Sequence, residues 1–164
     1  MVIHRSRLRA VAALLVIILA SVVSGCKDEA SLRLRTDPEP LARRLKLPQH
    51  VGSVRWVAVS PVHDSGWVPQ KTEFYDVYAY IELDDEGWTE LENSEAGRRA
   101  TITLPEPVAA LVIPPQSAEG DFQHSSGIRQ ADGPSFKPLS AEAKTEVANA
   151  IRVGNALVVE MRVR

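Results

Sequence analysis

Phe74-Tyr75-Asp76-Val77-Tyr78-Ala79-Tyr80-Ile81-Glu82-Leu83 is the stretch on which the fold turns. Tyr75, Val77, Ala79, Ile81 and Leu83 share one parity, while Phe74, Asp76, Tyr78, Tyr80 and Glu82 share the other. Successive side chains of a strand point to opposite faces, so this period of two predicts a strand with its first set turned to a core. The C-terminal stretch Ala156–Arg164 repeats the pattern. Leu157, Val159, Met161 and Val163 point in, and Glu160, Arg162 and Arg164 point out. One wet face per strand favours an antiparallel or mixed sheet. Val51–Val59 is apolar on both parities, through Val51, Val57 and Val59 on one and Val54, Trp56 and Ala58 on the other, as in a strand covered on both sides.

Outward from these strands, helix signals appear. Asp37-Pro38 places an acid and then a proline where a helix starts, Leu41 and Leu45 lie four apart, and Pro48 stops the run. Asp84 or Asp85 can cap a short helix reaching Glu92, with Trp88 and Leu91 on its buried side. Residues 100–104 and 108–113 read as two short strands broken by Pro105-Glu106-Pro107. Gln116–Pro138 is polar and rich in Gly, Ser and Pro, and reads as one long loop. Ser140 can cap a last helix to Arg152, with Ala143, Val147, Ala150 and Ile151 on one side and Gly154 as its stop. The elements interleave without a βαβ rhythm. The expectation is an α+β domain, with one mostly antiparallel sheet of four or five strands and two or three short helices on one face.

The N-terminus has another character. His4, Arg5, Arg7 and Arg9 precede an apolar run from Val11 to Val23, and the chain's only cysteine follows at Cys26. The run is shorter than the roughly 20 residues of a spanning helix, and this layout is that of an export signal. Val23-Ser24-Gly25-Cys26 resembles the lipobox of bacterial lipoproteins. The resemblance covers residues 1–26 and implies cleavage between Gly25 and Cys26, a diacylglyceryl thioether on the Cys26 sulfur, and acylation of the new amine. Residues 1–25 are then a signal peptide, 26–36 the lipidated cysteine and a polar tether, and 37–164 the globular domain. It implies a membrane partner engaged through the anchor and a periplasm-facing address in the envelope. Lys27, with aspartate only at Asp28, leans the sorting toward the outer membrane.

Without residues 1–25 the 19 cations fall to 16 with the loss of Arg5, Arg7 and Arg9, while all 21 acids stay, for a formal charge of −5. An acidic body without a basic stripe argues against nucleic acid and against anionic headgroups as partners. With its one cysteine committed to the anchor, the mature chain has no internal disulfide and must rely on packing.

The chemistry-bearing residues are scattered. His63-Asp64 could begin a metal-hydrolase site, but His50 and His124 stand at no ligand-like spacing from it. Ser125 and Ser126 beside His124 lack a nucleophile elbow, and there is no phosphate-binding glycine loop. The acidic run Glu82, Asp84, Asp85, Glu86, Glu90, Glu92 and Glu95 lacks the alternating spacing of a calcium loop and reads as a solvated helix with acids near its N-terminus. No metal or cofactor is expected. Trp67, Phe74, Tyr78 and Tyr80, with Asp84 and Asp85, are the candidate partner surface. Aromatic side chains bury much area at small entropic cost in contacts, and the competing reading makes these rings a second core. The expected function is a non-enzymatic binding or structural module, of inhibitor or immunity type, that meets an envelope protein or cell-wall partner. The alternatives are a small periplasmic hydrolase using His63, Asp64 and His124, or a tethered subunit pairing through an open sheet edge.

Overall fold

Alternating apolar side chains on three long segments produce a sheet in which every pairing among the described residues is antiparallel. The computed structural model describes residues 32–60, 75–92, 95–115, 120–136, 139–142 and 144–164. The strands are β1 (Val51–Val59), β2 (Tyr75–Leu83), β3 (Glu95–Pro105), β4 (Gln123–Ser125), β5 (Ile128–Phe136), β6 (Thr145–Val153) and β7 (Ala156–Val163). The helices are α1 (Glu39–Ala42), α2 (Asp85–Glu92) and α3 (Glu106–Val112). Among the described residues the sheet has seven strands, in the order β1-β2-β7-β6-β5-β3 with β4 also paired to β5. It thus exceeds the four or five strands expected, although the α+β class and the antiparallel pairing stand.

The central strands carry a core on each face. On the first face Val77, Ala79, Ile81 and Leu83 of β2 and Leu157, Val159, Met161 and Val163 of β7 meet Leu41, Leu45, Trp88 and Leu91. On the second, Val57, Tyr80, Ile151 and Val158 meet Val108, Ala109 and Val112 of α3, together with Ile102 and Leu104 of β3. Helices therefore lie on both faces, which corrects the one-face expectation. The cause is the second apolar parity of β1 and β7: Val57, Ala156 and Val158 are fully buried. Each valine so buried stabilises the fold by about 1.5–3 kcal/mol.

Three segment assignments change. Residues 108–113 are not a strand, since α3 runs from Glu106 to Val112. Pro105 is extended at the N-cap and Pro107 falls in the first turn, where a missing N–H costs nothing. Val108, Ala109 and Val112 then fall on one buried side. Arg129 clamps Glu106 in that first turn with nitrogen–oxygen distances of 2.8 and 3.1 Å, and this hydrogen bond holds the Glu106 carboxyl below its usual range. The C-terminal end is held by Arg55, whose guanidinium donates to the carbonyls of Leu111 at 2.6 Å and Val112 at 3.1 Å. Those carbonyls have no partner within the helix.

Residues 140–152 are not a helix either. Thr145–Val153 is β6, paired along β7 through a two-residue turn at Gly154-Asn155, where Gly154 takes φ 57°. The long loop of 116–138 contains the β4–β5 hairpin, turning at Ser126-Gly127 with Gly127 at φ 75°. β5 pairs with β3 along one edge, while β4 and β6 share its other edge. A Cβ on Gly133 would lie 2.0 Å from the carbonyl oxygen of Arg152, so this glycine permits the close approach of β5 to β6.

The compact unit begins at Leu32, so residues 32–36, read as tether, belong to the folded body. Arg35 and Trp56 exchange two backbone hydrogen bonds of 2.8 and 2.9 Å on the outer edge of β1, and the Arg35 guanidinium lies 4.8 Å from the centre of the Trp56 ring. Trp56 Nε1 donates to the carbonyl of Asp37 at 3.0 Å. Leu45 bridges to Ser140. Residues 32–48 thus form a strap that α1 and its buried Leu41 press onto the first face.

Candidate functional site

Among the described residues, the cover of the second face stops short of its end. β2 sends Tyr80, Tyr78 and Asp76 to this side in turn, and their surroundings become wetter step by step. Tyr80 stands between Arg55 and Val158 in register, is 2% exposed and belongs to the second core. Its assignment to a contact surface is therefore corrected: the helix α3 and β3 close over this part of the sheet. Tyr78, between Val57 and Glu160, is half-buried. Asp76 stands between Val59 and Arg162.

Beyond β7 the same two rows continue onto β6. Glu160 faces Asn149, and Arg162 faces Glu146. A bulge between Val147 and Asn149 makes this possible. Without the extra residue, Glu146 and Asn149 would point to opposite sides, and with it both reach the second face. The result is a platform of six polar side chains on three central strands: Asp76, Tyr78, Glu146, Asn149, Glu160 and Arg162. Arg162 Nε donates to Asp76 Oδ1 at 2.9 Å, and Asn149 Nδ2 donates to Glu160 Oε2 at 3.0 Å.

The platform's electrostatics follow from this pairing. Burial pushes the Tyr78 phenol up, Glu160 and Asp76 push it the same way, and Arg162 opposes them. The hydrogen bond to Asp76 raises Arg162 further still. Tyr78 is therefore held neutral as a hydrogen-bonding group. No hydrogen bond to its hydroxyl is made among the described residues.

The acidic run is largely built into the fold. Asp84 caps α2 by accepting from Gly87 N–H at 2.8 Å, and His50 Nδ1 lies 3.8 Å from Asp84 and 3.1 Å from Glu86. Glu90 accepts from Gln49 N–H at 2.9 Å, and Glu82 from the Ser53 hydroxyl at 2.6 Å. Asp85 stays exposed. Asp84 thus acts first as a cap, and neither acid adjoins the platform rows. Among the described residues no group of three or more His, Cys, Asp and Glu is arranged to hold a metal ion. His124 is exposed on β4, opposite Arg129 and close enough to Glu106 to lower its pKa. Gly25, Cys26, His63, Asp64, Trp67 and Phe74 lie outside the described residues. No helix among the described residues is long and apolar enough to cross a membrane. β3 ends the sheet order, with no further strand on its outer edge among the described residues.

Tyr78 was the sequence candidate that reached this site, and the outward parity of Glu160 and Arg162 marked two more of its members. Glu146 and Asn149 escaped notice because their segment reads as helical, and a bulge leaves no signature in hydrophobic period.

No family model matches this chain, and no match was found among curated proteins or solved structures.

Proposed function

We propose that this chain is a lipid-anchored, non-enzymatic binding or structural module of a bacterial envelope that faces the periplasm and meets an envelope protein or cell-wall partner through the Tyr78 platform. The carrying observation is that this face is polar, half-buried and hydrogen-bonded in pairs, Arg162 to Asp76 as an ion pair and Asn149 to Glu160. Paired, rigidly mounted groups suit recognition, because a partner meets fixed donors and acceptors. A catalytic centre calls instead for a reactive group aimed into a cleft with its base or orienter beside it.

The anchor half of the reading is supported by Val23-Ser24-Gly25-Cys26 and by a folded body that starts only six residues after the cysteine. In the same reading Lys27 favours the outer membrane, and the inhibitor or immunity type is the finer assignment. Replacing Cys26 with Ser should abolish lipid mass and release the chain from the membrane fraction. A native chain carrying a free thiol at Cys26 would sink the anchor.

The contact half is tested with a photo-crosslinking amino acid at Glu146, on the exposed rim of the platform, and at Ser126 as a control. The expected result is a discrete envelope adduct from position 146 that disappears in a Tyr78→Ala, Asp76→Ala background. Identical adducts from both positions, or persistence in that background, would remove the platform from the proposal.

A further inference from the structure

Net charge conceals a sharp division within the folded body. The strap of residues 32–48 holds five cations (Arg33, Arg35, Arg43, Arg44 and Lys46) against two acids, Asp37 and Glu39. Residues 49–164 hold ten cations against seventeen acids. Arg33, Arg35, Arg43 and Lys46 are all exposed. Arg43 meets Glu39 at 3.5 Å, but both side chains are largely solvated, so the pair neutralises little. Arg35 is fixed by its stacking on Trp56. Among the described residues, Arg33, Leu34, Arg35, Thr36 and Asp37 line an open, predominantly polar groove of about 410 Å³.

This strap is also the part of the body nearest the cysteine in sequence. Five residues lie between Cys26 and Leu32, and even fully extended the six steps from one to the other span only about 20 Å. The Arg35–Trp56 bridge then fixes the strap to β1, so the chain cannot lengthen its leash without breaking both backbone hydrogen bonds. Anionic leaflets attract adjacent cations within roughly one Debye length, about 8 Å at physiological salt. A basic segment next to an acyl anchor supplies a second membrane signal.

We infer that the strap is the face this protein lays on an anionic bilayer, with a phospholipid headgroup phosphate received in the groove between Arg33 and Arg35. The inference rests on the anchor reading above. It keeps the platform acids Asp76, Glu146 and Glu160, which lie on the opposite face of the sheet, away from the lipid, while the acids of α2 share the first face with the strap. The whole-chain negative charge argued against anionic headgroups only as an average, and the average does not describe this face.

The test uses the full lipidated chain in vesicles of phosphatidylcholine, with or without phosphatidylglycerol, carrying a nitroxide headgroup quencher. A fluorophore is placed through Ala42→Cys on the strap or Ser126→Cys on the β4–β5 turn, both exposed positions. Quenching at position 42 should rise about twofold when phosphatidylglycerol is added, while position 126 stays unchanged. High salt, or Arg33→Glu with Lys46→Glu, should erase the rise while flotation with the vesicles persists. Equal quenching at the two positions on floating vesicles, or indifference to lipid charge, overturns the strap orientation alone. A chain that fails to float with any vesicle defeats the anchor reading, and this inference falls with it.

Discussion

The two faces of the sheet are closed by different means, and the difference locates the candidate site. On the first face the strap and α2 together cover the central strands, from Leu83 and Trp88 at one end to Val163 at the other. On the second, α3 is a single helix of 7 residues with its ends fixed by Arg129 and Arg55. Its cover ends near Tyr80, and the next two rows of side chains turn polar. Among the described residues, the sheet face beyond the reach of α3 carries six polar groups. The platform is therefore a consequence of helix length.

This contrast can be broken at several points. The largest effect belongs to the fully covered face. Trp88 packs 5.9 Å from Phe136, lies under Arg152 at 4.2 Å and donates to Asn155 at 3.1 Å. Trp88→Ala should cost about 4 kcal/mol in denaturant unfolding, because neighbours anchored to the sheet cannot collapse into the space. Gly133→Ala acts where β5 leaves β6. The added methyl meets backbone, and a loss of about 3 kcal/mol is expected from equilibrium unfolding.

A smaller and more local change should follow Arg55→Ala, which strips two carbonyls at the end of α3 of their donor. The expected loss is about 2 kcal/mol, with amide exchange accelerating in 106–112 and unchanged in α2. If exchange rose equally in both helices, the two faces would not be independent.

Least costly at neutral pH is Tyr78→Phe, expected to change stability by less than about 0.5 kcal/mol. Its effect lies in alkali. Because the folded phenol is raised above its usual value, its contribution is fully present below about pH 10 and is lost as pH rises through the folded value. Denaturation midpoints followed into alkali should therefore fall less steeply in the phenylalanine variant. Superimposable alkaline limbs would mean that the phenol is as free as in the unfolded chain.

Legibility in the sequence followed the same divide. β1, β2 and β7 were readable because their side chains alternate or are apolar on both parities, and α2 was readable from its capping acid and the Trp88–Leu91 spacing. The region around α3 was not. Val108-Ala109-Ala110-Leu111-Val112-Ile113 has the composition of a strand, and only Pro107 placed in a first turn argued otherwise. β5 contains Gly133 and Pro134, which composition assigns to a loop, yet pairing along β3 makes it a strand. β6 offers a helical spacing at Val147, Ala150 and Ile151, and Gly154 of the two-residue turn that contradicts it has in sequence the form of a helix stop. For β5 and β6 tertiary pairing overrode local preference, while for α3 packing of one apolar side against the sheet did so. Of the platform, the side on β2 and β7 was legible, whereas the side on β6 depended on a bulge.

The placement of β7 has a consequence for how the chain is made. β7, the latest in chain order of the described strands, is an interior one, flanked by β2 and β6. Until residues 156–163 emerge, β2 exposes an unsatisfied edge and neither core can close. A nascent chain stalled short of Ala156 would present open strand edges to chaperones and proteases.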